Sequence, residues 1–308
     1  IIMKKTNLLI LGNSNFVQKR LLKSINTIKN INYKICSKSK KGKGIFFNDY
    51  RIGLRTKPDL VYISLCNHLH FKYAKMALLS GSHVIVDKPI SLNLKNTLEL
   101  VKIAKRKKLL ISESTLFNYH GVFQVINELL GGAKNLNLIQ TNFNIPQIKT
   151  LKQISLTKSD CFQDMSPYAA SIIRLYLKPK VTCLNSYKKK YLNTSDVKSF
   201  YIFAKSKKTN YFGNFSVGNE YLSQIIFSSN KKIIYLNHQA FALPSDKKIK
   251  ITIKEDNKYK NILINKDDCI KNYLNEIISS ITNKNFNKFY NLVVTDAKIR
   301  NIITKNNK

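Results

Sequence analysis

Asp87, Lys88 and Pro89 close the stretch VIVDKPI (84–90), where an apolar run gives way to an acid, a lysine and a proline. Two readings of that order are open. A polar strand end followed by a turn accounts for it, because proline fixes φ and stops a ladder. A catalytic lysine at the carboxyl edge of a parallel sheet accounts for it as well. An ammonium group there would stabilise developing alkoxide charge and lower the pKa of a neighbouring acid. A second candidate is LGNSNFVQKR (11–20), the turn after the first apolar run. A dinucleotide fingerprint asks for G-x-G-x-x-G, so that backbone can approach a pyrophosphate and the helix can pack closely. Only Gly12 meets it; Ser14 and Val17 hold the other glycine positions, with Asn15 and Phe16 between them. The glycine count alone therefore leaves cofactor binding open, although a helix amino terminus still offers N–H donors to phosphate. The third candidate, CSKSKKGKG (36–44), ends the second apolar run with Ser37 and Lys38 and has no acid in reach. That composition favours NADP(H) over NAD(H); the plain alternative is a solvated lysine loop.

The elements that must position these residues follow from periodicity. NLLIL (7–11), YKIC (33–36), DLVYISL (59–65), HVIV (83–86) and KLLIS (108–112) read as strands, separated by helical patterns at 16–28, 69–80 and 93–107. Continuous apolar runs alternating with helices predict a parallel sheet covered on both faces. From about 119 the pattern changes. A helix (119–131), a strand (135–145), a lysine-rich irregular stretch and a helix near 165–177 precede five to seven strand-like segments within 181–264. Two helical segments, 267–283 and about 286–304, end the chain. The expected fold class is α/β: a Rossmann domain with a doubly wound parallel sheet over 1–118, then an α+β domain over 119–308 for substrate binding and oligomerisation. The second domain should hold a mixed, largely antiparallel open sheet, its last helix free to pack back on the first domain.

Composition narrows the partners. The chain has 308 residues and a formal net charge of +36, almost all of it lysine and accompanied by abundant asparagine and isoleucine. That combination matches the codon use of an AT-rich genome, and arginine would serve better for bidentate phosphate or base contacts. No zinc-finger spacing or aromatic RNA-binding signature accompanies it, so a lysine-driven nucleic-acid binder stands only as an alternative. The five cysteines are dispersed, with no C-x-x-C pair, which argues against a disulfide framework and a metal site. No apolar run approaches the ~20 residues of a membrane span, and the amino-terminal apolar run leads into Gly12 rather than a cleavage site. A cytoplasmic location is expected.

Three spaced elements then resemble the glucose–fructose oxidoreductase/inositol dehydrogenase/MocA (Gfo/Idh/MocA) oxidoreductases. These are Cys66-Asn67-His68-Leu69-His70, Gly81-Ser82-His83-Val84 and Asp87-Lys88-Pro89, similar to the family's Pro-Asn-x-x-His turn, G-x-H-V segment and Glu-Lys-Pro strand end. The resemblance implies that Lys88 contacts cofactor and assists proton transfer, with Leu65, Asn67, His70 and Asp87 also on the cofactor. SESTLFNYHGVF (112–123) resembles the Glu-x-x-Met-Phe-x-x-His stretch of the sugar-ketoreductase branch, which implies Glu113 at the cofactor and His120 at the substrate. CFQDMSPYAASIIRLYL (161–177) resembles Gly-Gly-Gly-x-x-x-Asp-x-Gly-x-His/Tyr and implies Asp164 as the acid and Tyr168 as the proton donor. Ser159, Asp160, Cys161 and Ser166 replace glycines of that pattern, and taken alone Tyr168 reads as an ordinary helix-face aromatic. Phe241 and Pro244 match a later Arg-x-Phe-x-x-Pro turn, with His238 in the arginine position.

The implied activity is NAD(P)-dependent interconversion of a secondary alcohol and a ketone on a sugar or nucleotide sugar, most specifically 3-keto reduction in deoxysugar or surface-glycan biosynthesis. Lys88, Tyr168 and Asp164 would be catalytic: Tyr168 moves the proton, Lys88 lowers its pKa and Asp164 orients substrate hydroxyls. A homodimer or homotetramer through the carboxyl-terminal sheet is implied too. A dihydrodiol or free-sugar dehydrogenase, and a catalytically silent cofactor-binding relative, are the alternatives.

Overall fold

The computed structural model describes residues 5–37, 46–47, 49–132, 135–177, 181–237 and 239–305. Two compact units divide the chain: Ile1–Thr115 with Ile270–Ala297, and Leu116–Cys269 with Lys298–Lys308.

The first unit is built on six strands: β1 (Thr6–Leu11), β2 (Ile31–Cys36), β3 (Phe46–Phe47), β4 (Leu60–Ile63), β5 (His83–Val86) and β6 (Ile111–Glu113). They pair in the order β3-β2-β1-β4-β5-β6, and each pair is parallel. This is the strand order of a Rossmann sheet, whose switch point lies between β1 and β4. β4 is buried along its whole length, as a strand covered on both faces must be. A π-helical turn (Val17–Leu21) runs into α1 (Leu22–Ile25); α2 (Tyr50–Arg55), α3 (Asn67–Leu79) and α4 (Leu94–Lys107) follow. β3 and α2 fall in a stretch without clear periodicity and were not expected from the sequence. β6 starts three residues later than the apolar run suggests. Lys108 takes a left-handed conformation (φ 56°) to cap α4, and the Leu109 N–H returns to the Ala104 carbonyl, so the helix end consumes the first residues of the run.

In the second unit a 3-10 turn (Leu116–Tyr119) precedes α5 (Val122–Leu129), shortening the expected helix. After β7 (Leu136–Ile145) comes α6 (Leu151–Thr157), where the lysine-rich stretch reads as irregular. Its amino end is a capping box: the Thr150 hydroxyl accepts the Gln153 N–H while the Gln153 side chain accepts the Thr150 N–H, the T-x-x-Q signature. α7 (Cys161–Tyr176) starts four residues earlier than periodicity indicates, because the Asp160 carboxylate accepts the Gln163 N–H as its cap. Seven strands follow: β8 (Cys183–Lys190), β9 (Val197–Lys205), β10 (Asn210–Val217), β11 (Leu222–Ser229), β12 (Lys232–Leu236), β13 (Ile249–Glu255) and β14 (Lys258–Ile264). The sheet runs β14-β13-β12-β11-β7-β10-β9-β8. Only β7 and β10 pair in parallel; the other neighbours are antiparallel.

Strand alternation gives this sheet two unlike faces. One packs on α7: Phe162 meets Phe200, Phe200 stacks on Phe215 at 4.7 Å, and Tyr176 meets Phe227. Full burial of each such phenylalanine stabilises the unit by about 1.5–3 kcal/mol. The opposite face leaves Tyr187 at 57%, Tyr201 at 40%, Phe203 at 41% and Phe212 at 46% exposure. α8 (Cys269–Thr282) and α9 (Asn287–Lys305) end the chain. Within the first unit the Tyr273 hydroxyl donates to Ser112 Oγ and the Tyr290 hydroxyl to the Leu109 carbonyl. Among the described residues no helix is long and apolar enough to cross a membrane.

Candidate active site

The chemistry-bearing residues of the first unit gather at the carboxyl edge of the parallel sheet. Gly12 ends β1 with φ +103°, and a Cβ there would lie 2.1 Å from the Ser64 carbonyl oxygen. No side chain fits, so the one glycine of the fingerprint is required by contact between the turn and the end of β4. Ser14 accepts the Val17 N–H at 3.2 Å and pairs with Ser64 Oγ at 2.9 Å. The Ser64 proton goes to Asp87 Oδ2 at 2.6 Å, so Ser14 is the donor in the Ser14–Ser64 pair. The serine thus replaces the second glycine of the fingerprint with a hydroxyl that caps the helix.

Asp87 follows β5 and accepts two further hydroxyls, Tyr62 at 2.6 Å and Ser114 at 3.0 Å. Burial, then the Asp87 charge, pushes the Tyr62 hydroxyl well above the usual tyrosine range, so it stays a donor at neutral pH. Lys88 comes next, half-buried, and its bond to Pro89 is cis. The segment beyond it is held from two sides. His70 Nδ1 bonds the Pro89 carbonyl at 2.7 Å and Nε2 the Leu65 carbonyl at 2.9 Å. Glu113 Oε2 accepts the Ile90 N–H at 2.6 Å. His70 therefore orders the loop, and Glu113 fixes backbone. Asn67 is buried as the first residue of α3, and the exposed Cys66 precedes it. Phe16 stacks near Tyr62, ring centroids 6.4 Å apart, and Asn15 sits exposed beside it in the turn.

Ser37 is buried beyond β2, whereas Lys38 lies outside the described residues. The expectation that no acid reaches this strand end needs correction. Asp49 lies close enough to raise the Cys36 thiol, which burial and then that carboxylate push up to about 11. The chain places Asp49 twelve residues beyond Ser37, and the pairing of β3 with β2 carries it back. Asp49 is also engaged locally, accepting the Arg51 N–H at 2.7 Å and the guanidinium at 3.1 Å.

In the second unit α7 already includes Asp164, so Asp164 and Tyr168 share one helix face a turn apart. The Tyr168 ring is packed by Phe241 at 4.8 Å, Phe143 at 5.3 Å and Phe117 at 5.9 Å. Asp164 Oδ2 meets Lys149 Nζ at 3.5 Å; Lys149, one cation in a lysine-rich stretch, carried no distinguishing sequence signal. His120 follows the 3-10 turn that bears Phe117 and is 2% exposed, with Nδ1 accepting the Val122 N–H. The imidazole is therefore buried within the second unit rather than standing free in solvent. Pro244 follows the buried Phe241 and Leu243, and His238 lies outside the described residues. Of the missed residues, Tyr62, Ser64 and Ser114 gave no signal beyond ordinary strand-end polarity.

A parallel sheet in Rossmann order with a glycine turn at its switch point is the architecture of a nucleotide-binding unit. Residues 32–115 match the Gfo/Idh/MocA family model, that of an oxidoreductase family with an NAD-binding Rossmann fold. A dTDP-3,4-didehydro-2,6-dideoxy-alpha-D-glucose 3-reductase from Saccharopolyspora spinosa is 30% identical over 139 residues, 43% of this chain and 42% of that enzyme. The chain thus spans less than half the length of that curated relative. Among solved structures, KijD10, a 3-ketoreductase from Actinomadura kijaniata in complex with NADP and TDP-benzene, superposes with TM-score 0.91 at 16% identity. That match covers 99% of this chain and 98% of the other. A UDP-N-acetylglucosamine 3-dehydrogenase, GnnA from Acidithiobacillus ferrooxidans, matches with TM-score 0.76 at 12% identity over 99% of both chains.

Two outcomes follow. Asp87→Asn should destabilise the protein by about 1.5–3 kcal/mol, read as a lower urea midpoint, because the hydroxyl donors lose a charged acceptor; an unchanged midpoint would contradict the role given to Asp87. Burial also holds the imidazoles of His83 and His120 below the ordinary histidine range, against the opposing pull of Asp59 on His83 and of Asp267 and Asp268 on His120. Unfolded histidines titrate near ~6.5, so below that pH the unfolded chain binds more protons. The contribution is present above ~6.5 and is lost as pH falls. Urea midpoints should drop on acidification from pH ~7.5 to ~5.5 and drop less in His120→Gln; equal slopes in the two proteins would refute the assignment.

Proposed function

We propose that the chain is an NADP(H)-dependent oxidoreductase that reduces a ketone to a secondary alcohol on a nucleotide-linked sugar, as a 3-ketoreductase. The observation that carries this reading is Lys88, whose backbone is fixed on both sides at the carboxyl end of β5 by Asp87, His70 and Glu113. The fit to a dinucleotide rests on the turn at Gly12, where backbone approaches the end of β4 as no residue with a Cβ could. Gly12, Ser14, Asn15 and Phe16 would receive the pyrophosphate, Ser37 and Lys38 the ribose phosphate. Leu65, Asn67 and Lys88 would flank the reactive end.

The nicotinamide, when bound, supplies the hydride. The chain supplies a proton and charge stabilisation. Tyr168 is a suitable donor because three phenylalanine rings fix its orientation on a rigid helix, and its hydroxyl would protonate the carbonyl oxygen as negative charge develops there. The Lys88 ammonium would stabilise that charge, worth about 10²–10³-fold in rate for a preorganised donor. Asp164, held by Lys149, would accept hydrogen bonds from sugar hydroxyls, and His120 would brace that wall. Solved variants of KijD10 replace a lysine by alanine or glutamate and a tyrosine by phenylalanine, residue types that match this pair. A reaction drawing on the NADPH pool suits the cytoplasm.

With NADPH and a dTDP-linked 3-keto sugar, Lys88→Met and Tyr168→Phe should each lower kcat about 10²-fold or more, while NADPH still raises the melting temperature. Wild-type turnover in Lys88→Met would refute the mechanism, and failure of both NADPH and NADH to stabilise the protein would refute the oxidoreductase reading. The exposed aromatics of β8, β9 and β10 form a patch that monomers rarely leave open, and we assign it to self-association. Light scattering should show an oligomer that Phe203→Asp with Phe212→Asp dissociates; a monomeric wild type would remove the proposal.

A further inference from the structure

At the amino edge of the same sheet, away from Lys88, lies a pocket of about 550 Å³ built wholly from the first unit. His83 opens β5 and Asp87 follows its last residue, so this edge stands about 13 Å from the carboxyl edge at ~3.3 Å per residue. The pocket is walled by the end of α4 and by the turn from α8 into α9: Lys105, Lys108, Lys284, Phe286 and Tyr290, with His83 beside them. Its volume falls in the range of small-molecule sites, which are mostly apolar with a few convergent polar groups.

In a chain of net charge +36, lysines alone say little. Three features distinguish these. No carboxylate lines the pocket, and none of the three lysines forms an ion pair among the described residues. The aromatic rings are buried and fixed: Phe286 is 8% and Tyr290 5% exposed, the Tyr290 hydroxyl is bound to the Leu109 carbonyl, and Phe286 packs on His83 at 5.4 Å. Lys105 already lies over the Tyr290 ring at 5.6 Å. His83 Nδ1 accepts the Leu110 N–H at 2.8 Å, which leaves Nε2 to carry the proton of the neutral ring as a donor. The Phe286 and Tyr290 rings meet edge-on, their planes 65° apart and centroids 6.4 Å apart. This aromatic corner, in a pocket that three unpaired lysines line, complements a ligand that is an aromatic ring at one end and doubly charged at the other.

We propose that this pocket is a second ligand site, for a planar aromatic ring that carries a phosphate, the chemistry of a nucleoside monophosphate. The ring packs on Phe286 and meets Tyr290 edge-on, and the phosphate meets Lys105, Lys108 and Lys284. The site is separate from the carboxyl edge and does not depend on the activity proposed above.

The chain contains no tryptophan, so Ile281→Trp in the pocket lining gives a local reporter. At ~0.15 M salt, where exposed charges are screened beyond ~8 Å, AMP should change its emission saturably and more tightly than either adenosine or inorganic phosphate. Adding Lys105→Ala and Lys284→Ala should weaken AMP about tenfold or more, because two of the three charged donors to the phosphate are removed. The far-ultraviolet spectrum should stay unchanged. The proposal is overturned by absence of a saturable response, by AMP binding no better than phosphate, or by a response the lysine substitutions leave untouched. It is likewise overturned if those substitutions lower only the melting temperature, which would mean that the lysines serve the carboxyl ends of α4 and α8.

Discussion

One carboxylate ties the ends of the parallel sheet together. Asp87, on the residue after β5, takes hydrogen bonds from Tyr62 on β4, Ser64 just beyond it and Ser114 just beyond β6. Through Ser64 and Ser14 the same chain of donors reaches the Val17 N–H at the start of the first helix. Bonds to a charged acceptor are shorter and roughly twice as strong as neutral ones, so four segments that the chain visits separately are locked at one point. Gly12 belongs to the same constraint, because the turn passes the Ser64 carbonyl too closely for any Cβ. Lys88 inherits its position from this lock. Its neighbours on the far side, Pro89 and Ile90, are held by His70 and Glu113, so the lysine projects from backbone restrained in both directions.

The second unit fixes its chemistry differently. Tyr168 and Asp164 stand on a long helix whose other face is buried in the sheet core, and a helix holds side chains more rigidly than a loop does. Three phenylalanines, two of them from segments far from α7 in sequence, set the ring of Tyr168. The lost glycines of this region have structural replacements. Asp160 caps α7, bonding both the Gln163 and Val197 N–H groups, and Ser159 takes the Lys149 ammonium. Desolvation raises the Asp160 carboxyl above the usual range while those two N–H groups pull it down.

The parallel sheet has two ends of opposite design. The carboxyl edge is crowded with hydroxyls around a carboxylate and presents one lysine. The amino edge is open, apolar at its floor and ringed by lysines. Parallel strands make this division unavoidable, since every strand starts at one edge and finishes at the other, and α4, returning the chain, brings its basic carboxyl end to the first.

The sequence by itself determined the α/β class, the parallel first sheet and a run of five to seven later strands, of which the structure forms seven, because continuous or alternating apolar runs report burial directly. It determined the candidates Lys88, Asp164 and Tyr168 too, through motifs at fixed spacing and their resemblance to a family. It did not show that Asp49 returns beside Cys36, since that proximity depends on β3 pairing with β2, a two-residue strand with no periodicity to read. It did not show that Glu113 and His70 hold backbone, because the partners of both lie 19 or more residues away in the case of the Pro89 and Ile90 bonds. Nor could it set Lys105 and Lys108 apart from the other lysines, for a charge gains meaning only when concavity, aromatic floor and absent counter-charges are brought together around it. Spacing along the chain decides which residues can do chemistry; only the tertiary structure decides which groups face them, and that sets their charge, their hydrogen bonds and their use.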